Sequence, residues 1–180
     1  MLLNKNEWDE ICAERVVQEK YIYCYFLGDN KKARKLLKQF AKLKGLKIVT
    51  VPYAGASKSK FHKTFGDFKL YDTTPQEFIS LIKHAEYIFT DSFHAVVFSH
   101  IYNKQYFVFN RDKKGSMNSR IYSITELFNS MDRFCYGKDR LNIKYIKQLE
   151  SIEYSKSNNK LDDAINKSKE FLFDNIGDNE

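Results

Sequence analysis

With 180 residues, 43% hydrophobic and 16% aromatic, the chain can bury a core and is too apolar to stay disordered. No apolar run approaches the roughly 18 residues that a membrane helix needs. The three cysteines are widely spaced with no CxxC pair, which speaks against a disulfide framework or a metal knuckle.

The net charge of +7 favours anionic partners, although a lysine-rich solvated surface is the simpler explanation. The aromatics lie in strand-like runs and do not alternate with Arg and Gly, so no nucleic-acid partner is expected. The opening "MLLNKNEWDE" turns acidic before a signal sequence can form. The expected location is cytoplasmic, with peripheral attachment at the inner face of a membrane as the open alternative.

In chain order, "YIYCYFL" (21–27) is a near-continuous β-prone run that suits a strand covered on both faces. In "GDNKKARKLLKQFAKLKG", Asp29 or Asn30 can cap a helix that Gly45 ends. Ala33, Leu36, Leu37, Phe40 and Leu43 form its apolar stripe, and Lys31, Lys32, Arg34 and the later lysines read as a solvated face. "KIVTVPY" (47–53) is a second strand and residues 54–69 are loop-like.

Thr74, Pro75 and Glu77 then open a helix with a capping box. "EYIFT" (86–90) is a strand, "SFHAVVFSHIYN" a helix and "QYFVFN" (105–110) a strand. After the polar "RDKKGSMN", a helix begins at Asn118 or Ser119, and "DRFCYG" is a short last strand. "SKSNNK" (155–160) reads as a linker before an amphipathic terminal helix over 161–176.

Alternating strands and helices predict an α/β fold: a mainly parallel sheet with helices on both faces. In such a sheet the strand-to-helix loops share the carboxyl edge, where ligands bind. Ser92, His94, Arg111, Asn118, Ser119 and Arg120 should gather there, beside helix N-termini that attract anions. His94, in the first turn of its helix, is the candidate acid–base residue, against the plainer reading of a packed or capping histidine. Asp91 is most simply a helix cap. His84, at a helix end, suits a positive charge, and His100 does not share a face with His94, so no metal site is expected. No GxGxxG, P-loop or GxSxG is present.

The segment "TTPQEFISLIKHAEYIFTDSFHAVVFSHIYNKQYFVF", followed by "NSRIYSITELF", resembles the polysaccharide pyruvyl transferase family. Its marks are Pro75, Glu77–Phe78, Ala85–Glu86, a "TDSFH" signature at Thr90 to His94, Phe98–Ser99, an "NKQYF" stretch and Asn118–Arg120. The resemblance covers about residues 3–135, with the character of the family's second half. It implies a Rossmann-like domain spanning 1–180, one half of a GT-B-like fold, without a cofactor. It also implies transfer of pyruvate from phosphoenolpyruvate onto sugar hydroxyls as a ketal, in cell-surface or exopolysaccharide synthesis.

By the same resemblance His94 is catalytic, protonating the donor's methylene carbon. Ser92, Asn118, Ser119 and Arg120 bind the donor's oxygens. The partners expected are phosphoenolpyruvate or a similar small anion, a glycan acceptor, and either a second copy or a separate N-terminal half. Ala95 stands where many members have Gly, and Ser92 where some branches have Arg. Two other readings are the nucleotide-sugar-binding half of a GT-B glycosyltransferase and a non-catalytic binding domain.

Overall fold

The computed structural model describes residues 3–52, 64–111, 119–149 and 151–176. Its frame is a six-stranded sheet in the order β3-β2-β1-β4-β5-β6, with every paired neighbour parallel. The strands are β1 (Tyr21–Tyr25), β2 (Lys47–Thr50), β3 (Phe68–Lys69), β4 (Tyr87–Thr90), β5 (Gln105–Phe109) and β6 (Phe134–Cys135). The helices are α1 (Lys5–Ile11), α2 (Lys31–Lys44), α3 (Pro75–Lys83), α4 (Phe93–Ile101), α5 (Ser119–Leu127), α6 (Gly137–Arg140), α7 (Ile143–Gln148) and α8 (Tyr154–Ile176). The predicted α/β parallel fold is thereby observed, with the strand order of a Rossmann-like sheet.

Alternation along the central strand builds two cores. Tyr21 and Tyr23 face the cluster of Ile79, Ile82, Val96 and Ile121, from α3, α4 and α5. Ile22 and Cys24, pointing the other way, face Leu36, Leu37, Phe40 and Ile146, from α2 and α7. Both faces of the sheet are therefore covered, and for that reason β1 is apolar at every position.

Local signals set several boundaries. The Thr74 hydroxyl accepts from the Glu77 amide while the Glu77 carboxylate accepts from the Thr74 amide, with Pro75 at the first helical position. Gly45 ends α2 in the left-handed region at φ 66°.

Other expectations are corrected. Residues 155–160 are not a linker but the first turns of α8, whose Tyr154 and Ser157 are buried. The loop expected over 54–69 ends in the edge strand β3, where the Asp67 carboxylate accepts from the Ile48 amide. The sequence reading assigned no element to 5–11, yet Asn4 and Glu7 form a capping box and Trp8 packs edge-on against Phe98 at 4.9 Å. Leu43 is 51% exposed and Ala41 is buried in its place. Arg34 is not on a solvated face: it is buried, stacked near Phe26 and Phe65, and its Nε donates to the Asp29 carbonyl.

Candidate functional site at the carboxyl edge

The strand order reverses direction between β1 and β4, and the loops that follow these two strands meet at the carboxyl edge. The Thr90 hydroxyl donates to the Tyr25 carbonyl at 2.8 Å and accepts from the Ser92 amide at 3.0 Å, fixing where α4 starts.

Asp91 is not a helix cap, because that position belongs to Ser92. Its carboxylate instead crosses to the β1 loop. One oxygen accepts from the Leu27 amide at 2.7 Å, and the other from the Gly28 amide at 2.9 Å and the Asn30 side-chain amide at 2.7 Å. Asn30 consequently holds the N-cap position of α2 without capping it through its side chain, at φ 40°. The side chain of Asp91 is fully buried. Burial pushes its carboxyl upward, opposed by the Leu27 and Gly28 amides and by the charges of Arg111 and Arg34.

Arg111 closes this arrangement: its Nη2 donates to the Asp91 carbonyl at 3.3 Å. The backbones come so close that a Cβ on Gly28 would lie 2.7 Å from the Arg111 carbonyl and 3.2 Å from the Asp91 carboxylate. The clamp that joins Asp91 to Gly28 and Asn30 is a structural feature that sequence reading missed. The signal available was a "GDN" directly after one strand and an Asp directly after another.

His94 stands exposed in the first turn of α4, its ring 5.6 Å from that of Phe93. The Arg120 guanidinium lies over the other neighbour in this group, 5.7 Å from the centre of the Phe93 ring. Arg120 and Ser119 are both exposed at the start of α5, which packs beside α4. Ser92 is buried at the head of α4 and makes no capping bond. The structure thus brings Arg120 over the ring of Phe93 at the start of α4, with Ser119 on the same helix end as Arg120. Asn118 lies outside the described residues. An exposed guanidinium close to the first turn of α4 can pair with a small oxyanion.

The other histidines differ from the expectations or play other parts. His84 is partly buried at the end of α3 and its Nδ1 shares a hydrogen bond with the Ser80 carbonyl at 2.9 Å. Burial and the neighbouring Arg15, Lys83 and Lys104 charges outweigh that bond and press its imidazole toward neutrality, against the helix-end charge expected. His100 is buried against Phe128, and its Nε2 is 3.1 Å from the Tyr106 hydroxyl. Among the described residues no cluster of His, Cys, Asp or Glu is placed to hold a metal ion, and no helix is long and apolar enough to cross a membrane.

Comparison with curated proteins and with solved structures returned no match. The family model for polysaccharide pyruvyl transferase matches residues 2–113. That span contains Asp91, Ser92, His94 and Arg111 and stops before Ser119 and Arg120. It takes in β1 to β5 and more than half of the sequence, and on that match the chain belongs to the polysaccharide pyruvyl transferase family.

Proposed function

We propose that this chain is the donor-binding half of a pyruvyl transferase that moves pyruvate from phosphoenolpyruvate onto two hydroxyls of a sugar in exopolysaccharide synthesis. The observation that carries the reading is the Arg120 guanidinium over the ring of Phe93, the neighbour of His94, with both Arg120 and His94 exposed. Arg120 pairs with the donor's phosphate or carboxylate through its planar fork, and Ser92 and Ser119 supply hydroxyl donors. His94 gives a proton to the methylene carbon, which becomes a methyl group. The adjacent carbon, now electron-poor, accepts one sugar hydroxyl as inorganic phosphate departs, and the second hydroxyl closes the ketal. One hydroxyl proton returns to the imidazole and the other leaves with phosphate.

The sheet belongs to one half of a GT-B-like pair, and the facing half holds the acceptor. Orienting two reactants in one cleft supplies roughly 7–11 kcal/mol in favourable systems, so the isolated chain binds the donor weakly and turns over little. The reaction is placed on the cytoplasmic side, where such a donor is made. The exposed Phe171 and Phe173 of α8 belong to the surface that meets the companion half or a second copy.

Calorimetric titration with phosphoenolpyruvate, run beside a phosphate-release assay with sugar acceptors, tests the reading. Weak binding that Arg120→Ala reduces about tenfold supports it. Robust phosphate release by the isolated chain contradicts the half-enzyme reading, and binding unchanged in Arg120→Ala contradicts the site.

A further inference from the structure

We propose that a cleft at the amino edge of the sheet binds an amphipathic anion, an oxyanion head on an aliphatic or aromatic body. The cleft has a volume of about 290 Å³. Lys44, Tyr87 and Gln105 on its walls are the last residue of α2 and the first residues of β4 and β5. These positions put it at the edge opposite to the head of α4, on the face covered by α2 and α7, and none of its residues belongs to the donor site. A second cleft of about 390 Å³ adjoins it, and the two share Arg133, Leu149 and Ser151.

The walls suit an apolar body. Phe40, Tyr87, Phe107, Ile146 and Leu149 line the first cleft. The ring of Phe40 lies 5.0 Å from that of Tyr87 and 5.7 Å from that of Phe107, so much of the lining is aromatic. Leu43 lines it too and is 51% exposed. Every other exposed position of α2 is lysine or glutamine, so Leu43 breaks the pattern of a solvated helix face. Beside aromatic rings that already form a concave space, its exposed side chain extends one apolar wall.

The charges suit an anionic head. Lys44, Arg133 and Lys147 line the same cleft, with no acidic side chain among its described lining residues. Lys44 and Lys147 stand in the last turns of α2 and α7, where the helix dipole by itself favours cations. Arg133 ends only a three-residue turn before β6, so that reason does not reach it. It is 4% exposed, and its guanidinium lies 6.0 Å from the centre of the Phe107 ring. Its Nε pairs at 3.2 Å with the carboxylate of Asp132, which lines the second cleft. A guanidinium carries five N–H donors in a planar fork that matches carboxylate and phosphate oxygens. Between apolar walls its charge also acts more strongly than that of a surface lysine. The head therefore sits where the two clefts join, with the body among the aromatic rings, and the second cleft gives room for a larger head.

The test is calorimetric titration of the full chain at moderate salt with octanoate, octyl phosphate, octylamine and acetate. Octanoate and octyl phosphate should bind at least about tenfold more tightly than octylamine, which reverses the head charge, and than acetate, which lacks the body. Leu43→Asp and Lys147→Glu, both at exposed positions whose change leaves the urea midpoint in place, should each weaken octanoate by at least about tenfold. Lys32→Glu makes the same change of net charge at the far end of α2 and should leave octanoate binding unaltered, as should Arg120→Ala. Phosphatidylcholine vesicles carrying farnesyl phosphate distinguish two sources of the ligand. Flotation of the chain with them assigns a lipid phosphate, and octanoate binding without flotation assigns a free metabolite. Octanoate bound no better than octylamine or acetate overturns the proposal, as does binding that tolerates both cleft variants. An equal loss in Lys32→Glu would reduce the effect to net charge, and a loss in Arg120→Ala would place the anion at the head of α4; either result overturns it as well.

Discussion

His100 lies six positions after His94 on α4, and the two stand at opposite edges of the sheet. His94 is exposed at the carboxyl edge beside Phe93, over whose ring the Arg120 guanidinium lies. His100 is buried at the amino edge, where its Nε2 meets the Tyr106 hydroxyl and that hydroxyl meets Ser130 Oγ at 2.6 Å. Burial pushes the His100 imidazole down to about 3, so it is neutral there. Nearby, the Tyr154 hydroxyl donates to the Lys104 carbonyl and seals the same edge. Around His100 that edge is dry, aromatic and neutral. The other leaves a guanidinium and an imidazole in solvent and uses a buried carboxylate to hold its loops. Burial is concentrated around His100 and the proposed donor chemistry at the second edge, with the buried Asp91 as the exception there.

The sharpest way to break this contrast is to remove the exception. Asp91→Ala deletes three hydrogen bonds to a buried carboxylate and leaves the Leu27 and Gly28 amides without their acceptor. Hydrogen bonds to charged groups are worth about 1.5–3 kcal/mol each, so a loss of about 3 kcal/mol or more is expected in urea denaturation. A loss below 1 kcal/mol, at the order of an exposed site, would mean that the clamp does not hold the edge together.

The amino edge should reveal itself through pH. The folded chain keeps His100 neutral down to about 3, whereas the unfolded chain takes up a proton below its ordinary 6.5. The unfolded state then binds more protons, so stability falls as pH drops from 6.5 toward 3, by up to about 1.4 kcal/mol per pH unit. Two units of acidification cost about 2–3 kcal/mol from this group. His84, also pressed toward neutrality, adds in the same direction, while the raised carboxyl of Asp91 opposes it. His100→Phe should flatten the slope measured by urea midpoints at several pH values. An unchanged slope would remove His100 from the account.

Gly28→Ala probes the close approach of the two loops. The new methyl carbon would meet the Arg111 carbonyl at 2.7 Å, a contact with backbone that cannot rotate away. Overpacking of this sort costs about 1–3 kcal/mol, read as a lowered Tm. The smallest effect is expected at His94→Ala, where an exposed side chain leaves stability within about 0.5 kcal/mol of the wild type. A large loss there would show that His94 is a structural residue like His100.

Much of the frame was legible because its signals are local. The apolar run of β1, the Thr74 capping box and the αL glycine at 45 each act within a few residues. The start of α4 was legible too, with His94 in its first turn. The Asp91 clamp was not, because its partners are more than 60 residues away and meet it only once β1 and β4 pair. Arg34 looked like one more solvated cation on a basic helix, yet Phe26 and Phe65 enclose it through contacts that no helical period encodes. The polar run before α8 lacks a periodic stripe of its own and is drawn into the helix by the burial of Tyr154 and Ser157. Asn4 and Glu7 show the opposite case, a local capping signal present in the sequence and passed over.

The central claim is that the head of α4 receives the donor, and the imidazole signals of the chain test it most directly. Phosphoenolpyruvate added to protein labelled at histidine should move the His94 ring resonances in proportion to occupancy and leave those of buried His100 in place. Arg120→Ala should suppress the His94 movement. Binding that leaves His94 still, or that moves it equally in Arg120→Ala, would contradict the account.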